Sequence, residues 1–318
     1  MLVNITSKCN EGCTHCLVGA TPNGIDSTLE QVNKVCYYLS LVKPQVVVVS
    51  GGEITLSSDW YAKCKKIADT VAGWNGAAIF ESNGSWFWDG RYNAIANDMK
   101  ALLDMNNVLN LQLSSNSKYY PNHAQYLSHV EEMKAFHPKV AVTMDWQGKD
   151  SHIIRLGRAK KLISPDKVSG KPSCASLASR LAQFKALCIS DKDLTWSNFN
   201  NFLVYTGYFC KPMVHAISGS VFFGETYFCL PVDNINRYNY DSEIASHILH
   251  DWFMDFVNHR KPVIMCNSCN GCTNIDAYTN FRLKQVGIEC LPFSEERTTN
   301  NFKLAMAGRY ITKPNKLL

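Results

Sequence analysis

The stretch QVVVVSGGE (Gln45–Glu53) decides the fold. Its β-branched run has strand length and reads as a buried strand, and Gly51-Gly52 breaks it off sharply. Upstream, TLEQVNKVCYYLSLV (Thr28–Val42) sets Leu29, Val32, Val35, Cys36, Leu39 and Val42 on one helical face. Thr28 and Gln31 have the spacing of a capping box at its start. Further upstream, a short apolar run at Leu2–Thr6 reads as a first strand and ends in KCNEGCTHC (Lys8–Cys16). Strand, loop, helix, strand is one βα unit.

The alternation continues downstream. A helix near 58–73 leads to AAIFESNGSW (Ala77–Trp86), one near 92–105 to VLNLQLSSNS (Val108–Ser117), and one near 122–136 to KVAVTMDWQ (Lys139–Gln147). HIIRLGRAKKLI (His152–Ile163) reads as a sixth strand and the start of another helix. Buried strands alternating with amphipathic helices make a parallel sheet, and five or six units suit an α/β fold of the partial (β/α)6 barrel type. Functional groups then gather at the carboxyl ends of the strands. The notable residues stand there: the cysteine loop, Gly51-Gly52-Glu53, Glu81 to Gly84, Gln112 with Ser114, and Asp145. From about residue 200 the texture changes to short strands and turns, then a helical stretch at 241–259 carrying Ile244, Ile248, Phe253 and Phe256. The expected organisation is a core at 1–200 and a small cysteine-rich α+β module at 201–318.

With 318 residues, 46% hydrophobic and 19% charged, the chain can bury a large core. No apolar run approaches the ~20 residues of a membrane span, and no basic region followed by an apolar stretch marks a signal peptide. A cytoplasmic protein without membrane attachment is expected. A net charge of +5 admits an anionic partner without requiring one. Thirteen cysteines, an odd number, argue against a disulfide framework and for metal binding. They form two groups: Cys9, Cys13 and Cys16, then Cys210, Cys229, Cys266, Cys269 and Cys272. Cys36 falls on a helix's apolar face and reads as core. Cys64, Cys174 and Cys188 stand alone, and Cys290 is ambiguous.

Three thiols at C-x3-C-x2-C wrap one metal from a single loop. A structural zinc site would need a fourth ligand, from His15 or from afar. A four-iron cubane with three cysteines keeps one iron open, which is a functional feature. The spacing, together with SGGE (Ser50–Glu53) at the next strand end, resembles the radical S-adenosylmethionine (SAM) superfamily. That resemblance implies a [4Fe-4S] cluster on Cys9, Cys13 and Cys16 with SAM at its open iron. One electron, from a donor such as flavodoxin or ferredoxin, cleaves SAM to a 5′-deoxyadenosyl radical that takes hydrogen from a substrate carbon. It further implies that Gly51, Gly52 and Glu53 receive the methionine moiety, the glycines because a side chain would block that approach. His15 stands where the family often has an aromatic over the adenine. Asn83, Gln112 and Ser114 sit at strand ends like those contacting ribose and carboxylate. LGRA (Leu156–Ala159) resembles a stretch common in members with extra clusters. The competing reading is a zinc-stabilised loop with Gly-Gly-Glu as an ordinary turn, in a protein that binds nucleic acid without catalysis.

In the second group, the C-x13-G-x4-C pattern of Cys210, Gly224 and Cys229 resembles the opening of SPASM and twitch modules, which hold auxiliary iron–sulfur clusters. Cys266, Cys269 and Cys272 then form a hook shorter than a full SPASM module has. One auxiliary [4Fe-4S] cluster on Cys210, Cys229 and two hook cysteines is implied, with zinc the alternative. Enzymes of this resemblance often modify ribosomally made peptides. The chain starts almost directly at its first strand, so a leader-peptide recognition domain would have to come from elsewhere. Trp86, Trp88, Tyr119, Tyr120 and Trp146 would alternatively offer stacking surfaces to a nucleobase, free or in a nucleic acid, if they are not core. A small metabolite is the third substrate class.

Overall fold

The computed structural model describes residues 1–16, 19–114, 119–143, 158, 181, 184–205, 212–223 and 233–259. The chain divides into two compact units, one drawn from Leu2–Cys36 and Gln45–Ser169, the other from Met1, Tyr37–Pro44 and Gly170–Leu318.

The first unit is the expected run of βα units. Its elements are β1 (Leu2–Asn4), α1 (Leu29–Val42, which continues into the second unit), β2 (Val46–Ser50), α2 (Trp60–Ala72), β3 (Ala77–Ser82), α3 (Tyr92–Asp104), β4 (Val108–Ser114), α4 (His123–Ser128), α5 (Val130–Phe136) and β5 (Val140–Thr143). The strands pair in the order β5-β4-β3-β2-β1, and every pair is parallel. In β2 the pleat turns Val47 and Val49 inward until both are fully buried. Helix α1 begins in a capping box, Gln31 N–H donating to Thr28 Oγ1 (3.2 Å) and Thr28 N–H to Gln31 Oε1 (2.8 Å). Its Val32, Val35, Cys36, Leu39 and Val42 are buried, as the periodicity predicts, whereas Leu29, expected on the same face, stands in the first turn and is 40% exposed. Helix α3 buries Ile95, Ala96, Met99, Leu102 and Leu103 at the same spacing.

The helix expected near 122–136 is two. The chain leaves helical geometry at His129 (φ −105°, ψ 5°), where α4 ends and α5 starts. The Gln125 carbonyl still takes its ladder bond from His129 N–H (3.2 Å), and the His129 ring Nδ1 lies 2.8 Å from the same oxygen. The expected sixth strand falls, apart from Arg158, outside the described residues.

In the second unit, the strands Pro212–His215, Ser220–Phe223 and Asp233–Asn234 form an antiparallel ribbon. Two helices, Trp196–Tyr205 and Ser242–His259, bring Trp196 and Phe199 against Trp252 and Phe253. The buried Trp196 Nε1–H donates to Tyr38 Oη at 3.1 Å, which gives the indole the partner a buried ring needs. Cys210, Cys229, Cys266, Cys269, Cys272, Cys174 and Cys290 lie outside the described residues. Among the described residues, no helix is long and apolar enough to cross a membrane.

Candidate functional site

The cysteine loop leaves β1 and returns to α1 through a pinned neck. Ser7 N–H donates to Ile25 O (2.8 Å), Cys9 N–H to Thr21 O (2.9 Å) and Ser27 N–H to Ile5 O (3.1 Å). From the other side, Gly52 N–H donates to Thr6 O (2.8 Å) and Glu53 N–H to Lys8 O (2.7 Å). Residues 5 to 9 are thus held between the returning strand of the loop and the end of β2.

This contact explains the two glycines. A Cβ on Gly51 would stand 2.5 Å from Thr6 O, and one on Gly52 would stand 2.2 Å from Lys8 O. The approach that excludes a side chain here is that of the chain to itself.

Glu53 is fully buried. Its Oε1 accepts from Thr55 N–H (3.1 Å), Thr55 Oγ1–H (2.7 Å) and Ser82 Oγ–H (2.9 Å), while Oε2 accepts from Asn83 N–H at 2.6 Å. A buried carboxylate needs such donors. The group braces the end of β2 to the end of β3, and it is absent from the lining of the neighbouring cleft.

A second clasp lies outside the neck. Asp26 accepts from Ser57 Oγ–H (2.6 Å), Ser58 N–H (2.6 Å) and Ser58 Oγ–H (2.9 Å), and Lys63 Nζ, on a side chain 1% exposed, lies 3.5 Å from it. Burial alone would raise the Asp26 pKa, yet the serine hydrogen bonds and the Lys63 charge hold it below its ordinary value.

The cleft, of about 160 Å³, opens at the carboxyl ends of the strands. Cys9, Cys13, Cys16 and His15 line it together with Gly51, Gly52, Asn83 and Ser114. Of the residues expected around SAM, Glu53 and Gln112 stand outside the lining; Gln112 is half-buried within β4. Glu11, which carried no signal of its own in the pattern, lines it too, with Tyr120 from the candidate stacking aromatics and Arg158 from the LGRA stretch. Tyr120 Oη–H donates to Asn83 O (3.2 Å), and Asn83 Nδ2 lies 3.8 Å from Cys9 Sγ. Glu11 is 2% exposed. Its Oε1 accepts from Asn122 Nδ2–H at 2.8 Å, and burial raises its carboxyl pKa.

The aromatics divide. Trp86 is fully buried and stacks on Phe87 at 4.0 Å, with Phe136 edge-on at 5.2 Å, so it is core. Trp88 packs edge-on to Tyr126, and Tyr119 lies 5.6 Å from the His15 ring. Trp146 is outside the described residues. Burial lowers the His15 pKa, opposed by a hydrogen bond with the Tyr119 backbone, so the imidazole is neutral at pH 7.

The three thiols are free. Burial pushes Cys9 up to about 11 and Cys13 up to about 12, so both are protonated at neutral pH unless a cation draws the proton off. Among the described residues, no three His, Cys, Asp or Glu side chains already stand together at metal-ligand spacing. In kind the donors fit an iron–sulfur cluster: three unpaired thiols on one wall, with Glu11 N–H donating to Cys9 Sγ at 3.4 Å.

No protein-family profile matches the sequence, and no curated protein does. Among solved structures, the chain is similar to one described as native anSMEcpe with bound AdoMet (13% identity, 90% of this chain and 98% of that one, TM-score 0.41). It is also similar to native anSMEcpe with bound AdoMet and Cp18Cys peptide (12% identity, 90% and 96%, TM-score 0.43).

Proposed function

We propose that this chain is a radical SAM enzyme. One observation carries the proposal: Cys9, Cys13 and Cys16, on the loop after β1, line the same cleft as Gly51 and Gly52, at the end of the parallel neighbour β2. A zinc-stabilised loop would have no need of that neighbour. Cys9, Cys13 and Cys16 would hold a [4Fe-4S] cluster. SAM would lie against the backbone of Ser50 to Gly52, with Asn83, Ser114 and His15 around it. With both groups bound, the cluster would pass an electron from a donor such as flavodoxin or ferredoxin to SAM, which would split into methionine and a 5′-deoxyadenosyl radical able to take a hydrogen atom from a substrate carbon. The chain's own contribution is to hold the loop, line the cleft with polar strand ends and limit access of water.

The substrate class proposed is a ribosomally made peptide, supported by the likeness of the Cys210, Cys229 and Cys266–Cys272 spacing to SPASM and twitch modules. That module would hold one auxiliary [4Fe-4S] cluster. The burial of Trp86 in the core takes away one of the stacking faces a nucleobase substrate would use.

The test is anaerobic reconstitution with iron and sulfide, then reduction in the presence of SAM. A brown protein that forms 5′-deoxyadenosine, and a Cys13→Ala variant that forms none, are the expected results. A colourless protein that takes up zinc alone would overturn the proposal. Cys269→Ala is expected to keep SAM cleavage and lose turnover of the peptide.

A further inference from the structure

Arg158 reaches the cysteine loop from far along the chain, and every donor it is seen to use ends on that loop. Its backbone N–H donates to Cys16 O at 3.0 Å. Its guanidinium donates through Nε to Cys13 O (2.8 Å), through Nη1 to Ala20 O (2.5 Å) and through Nη2 to Glu11 O (3.3 Å). The loop between Cys9 and Ala20 contains no helix or strand among its described residues, so its carbonyls have no ladder to join, although Cys13 O also accepts from Cys16 N–H in a turn (3.2 Å). A guanidinium is the one side chain that offers several N–H groups in a fixed planar fork, and its hydrogen bonds to oxygen are charge-assisted. Four hydrogen bonds from one residue therefore fix the backbone on either side of Cys13 and beside Cys16.

We propose that Arg158 is the positioning residue of the cysteine loop: its fork sets the relative placement of the cysteines, and its charge stands next to the centre they would hold. The fork part depends on the loop alone, and the charge part rests on the proposed cluster. The two parts make opposite demands on a lysine. Lysine supplies the charge but no planar fork, so Arg158→Lys keeps the electrostatic effect and loses the clamp.

The fork is tested on protein stripped of metal, by mass-spectrometric rates of iodoacetamide labelling at each cysteine. Arg158→Ala and Arg158→Lys are both expected to label at Cys13 at least tenfold faster than the wild type, while the core thiols Cys36 and Cys64 stay protected. Labelling of Cys13 at the wild-type rate in Arg158→Lys would overturn the clamp, whatever Arg158→Ala does to folding. The charge is tested on the reconstituted protein by the midpoint potential of the cluster. Arg158→Gln is expected to be harder to reduce than the wild type and Arg158→Lys close to it. An unchanged potential in Arg158→Gln would overturn the electrostatic part. If the wild type assembles no cluster, the radical SAM proposal and the charge part fail, and the labelling result still decides the clamp.

Discussion

Replacing Glu53 by Gln separates a brace from a ligand. In the structure both carboxylate oxygens are occupied: Oε2 by Asn83 N–H at 2.6 Å, Oε1 by the Thr55 amide and hydroxyl and by Ser82. An amide keeps one acceptor oxygen and puts an NH2 where the other stood. Whichever way it turns, a donor then faces a backbone N–H, that of Asn83 or that of Thr55. One charge-assisted hydrogen bond, roughly 1.5–3 kcal/mol, is lost and a buried N–H is left unpaired at roughly 1–3 kcal/mol. Removing the charge relieves part of its desolvation, so the net loss is about 2–4 kcal/mol. Because the chain has two units, one global unfolding midpoint would mix their stabilities. Hydrogen exchange read on peptides covering Ala77–Phe87 reports the brace itself. A loss of about 2 kcal/mol speeds exchange there by about 30-fold where exchange follows the opening equilibrium. Rates within threefold of the wild type would refute the reasoning. If weakened SAM binding accompanied unchanged exchange, Glu53 would be a ligand instead.

Gly52→Ala forces a Cβ against Lys8 O and is expected to cost about 3 kcal/mol or more, whereas Gly90→Ala, with φ at 86° and open space around it, costs about 1 kcal/mol; hydrogen exchange on peptides spanning each site compares them. The depressed Asp26 pKa makes its stabilisation fully present above the unfolded value of about 3.8 and lost as pH falls through the lower folded value. Asp26→Asn should therefore lower stability at pH 7 and flatten the acid limb of a stability–pH curve. Lys63→Met removes the buried cation beside Asp26 but leaves Lys8 Nζ at 3.5 Å and the serine donors, so it is expected to cost less than the roughly 3–5 kcal/mol of a fully stranded buried charge and to be partly recovered in the Asp26→Asn/Lys63→Met pair, as hydrogen exchange on peptides covering Asp26 and Lys63 would read. With Cys9 and Cys13 pushed up to about 11 and about 12, their alkylation in metal-free protein should rise about tenfold per pH unit from pH 7 to 10. A plateau below pH 9 would contradict that.

Much of the first unit could be read from periodicity. The valines of β2 and the apolar face of α1 announce themselves because burial on a strand or helix repeats at a fixed interval. The meeting of the cysteines with Gly-Gly was also legible, since consecutive parallel strands bring their carboxyl ends side by side. Side-chain direction was not. Glu53 follows two glycines at a strand end and reads as a ligand, but its carboxylate turns back to Ser82 and Asn83, and no local pattern encodes those partners. Nor does spacing reveal that Asp26 on the loop and Lys63 on α2 close a clasp, or that Arg158 caps carbonyls far away in the chain. The helix boundary at His129 escaped for a related reason: a change of backbone dihedrals at one residue leaves no trace in hydrophobic pattern.

The packing of Gly51 and Gly52 on Thr6 and Lys8 bears on how descent would mark this protein. A descendant without the proposed cluster and chemistry would still be unable to accept a side chain at either position, because the obstruction is its own main chain. Both glycines would persist while the three cysteines drifted freely. In a comparison across relatives, then, the glycine pair would report that the architecture survives, and the thiols alone would report on the proposed reaction.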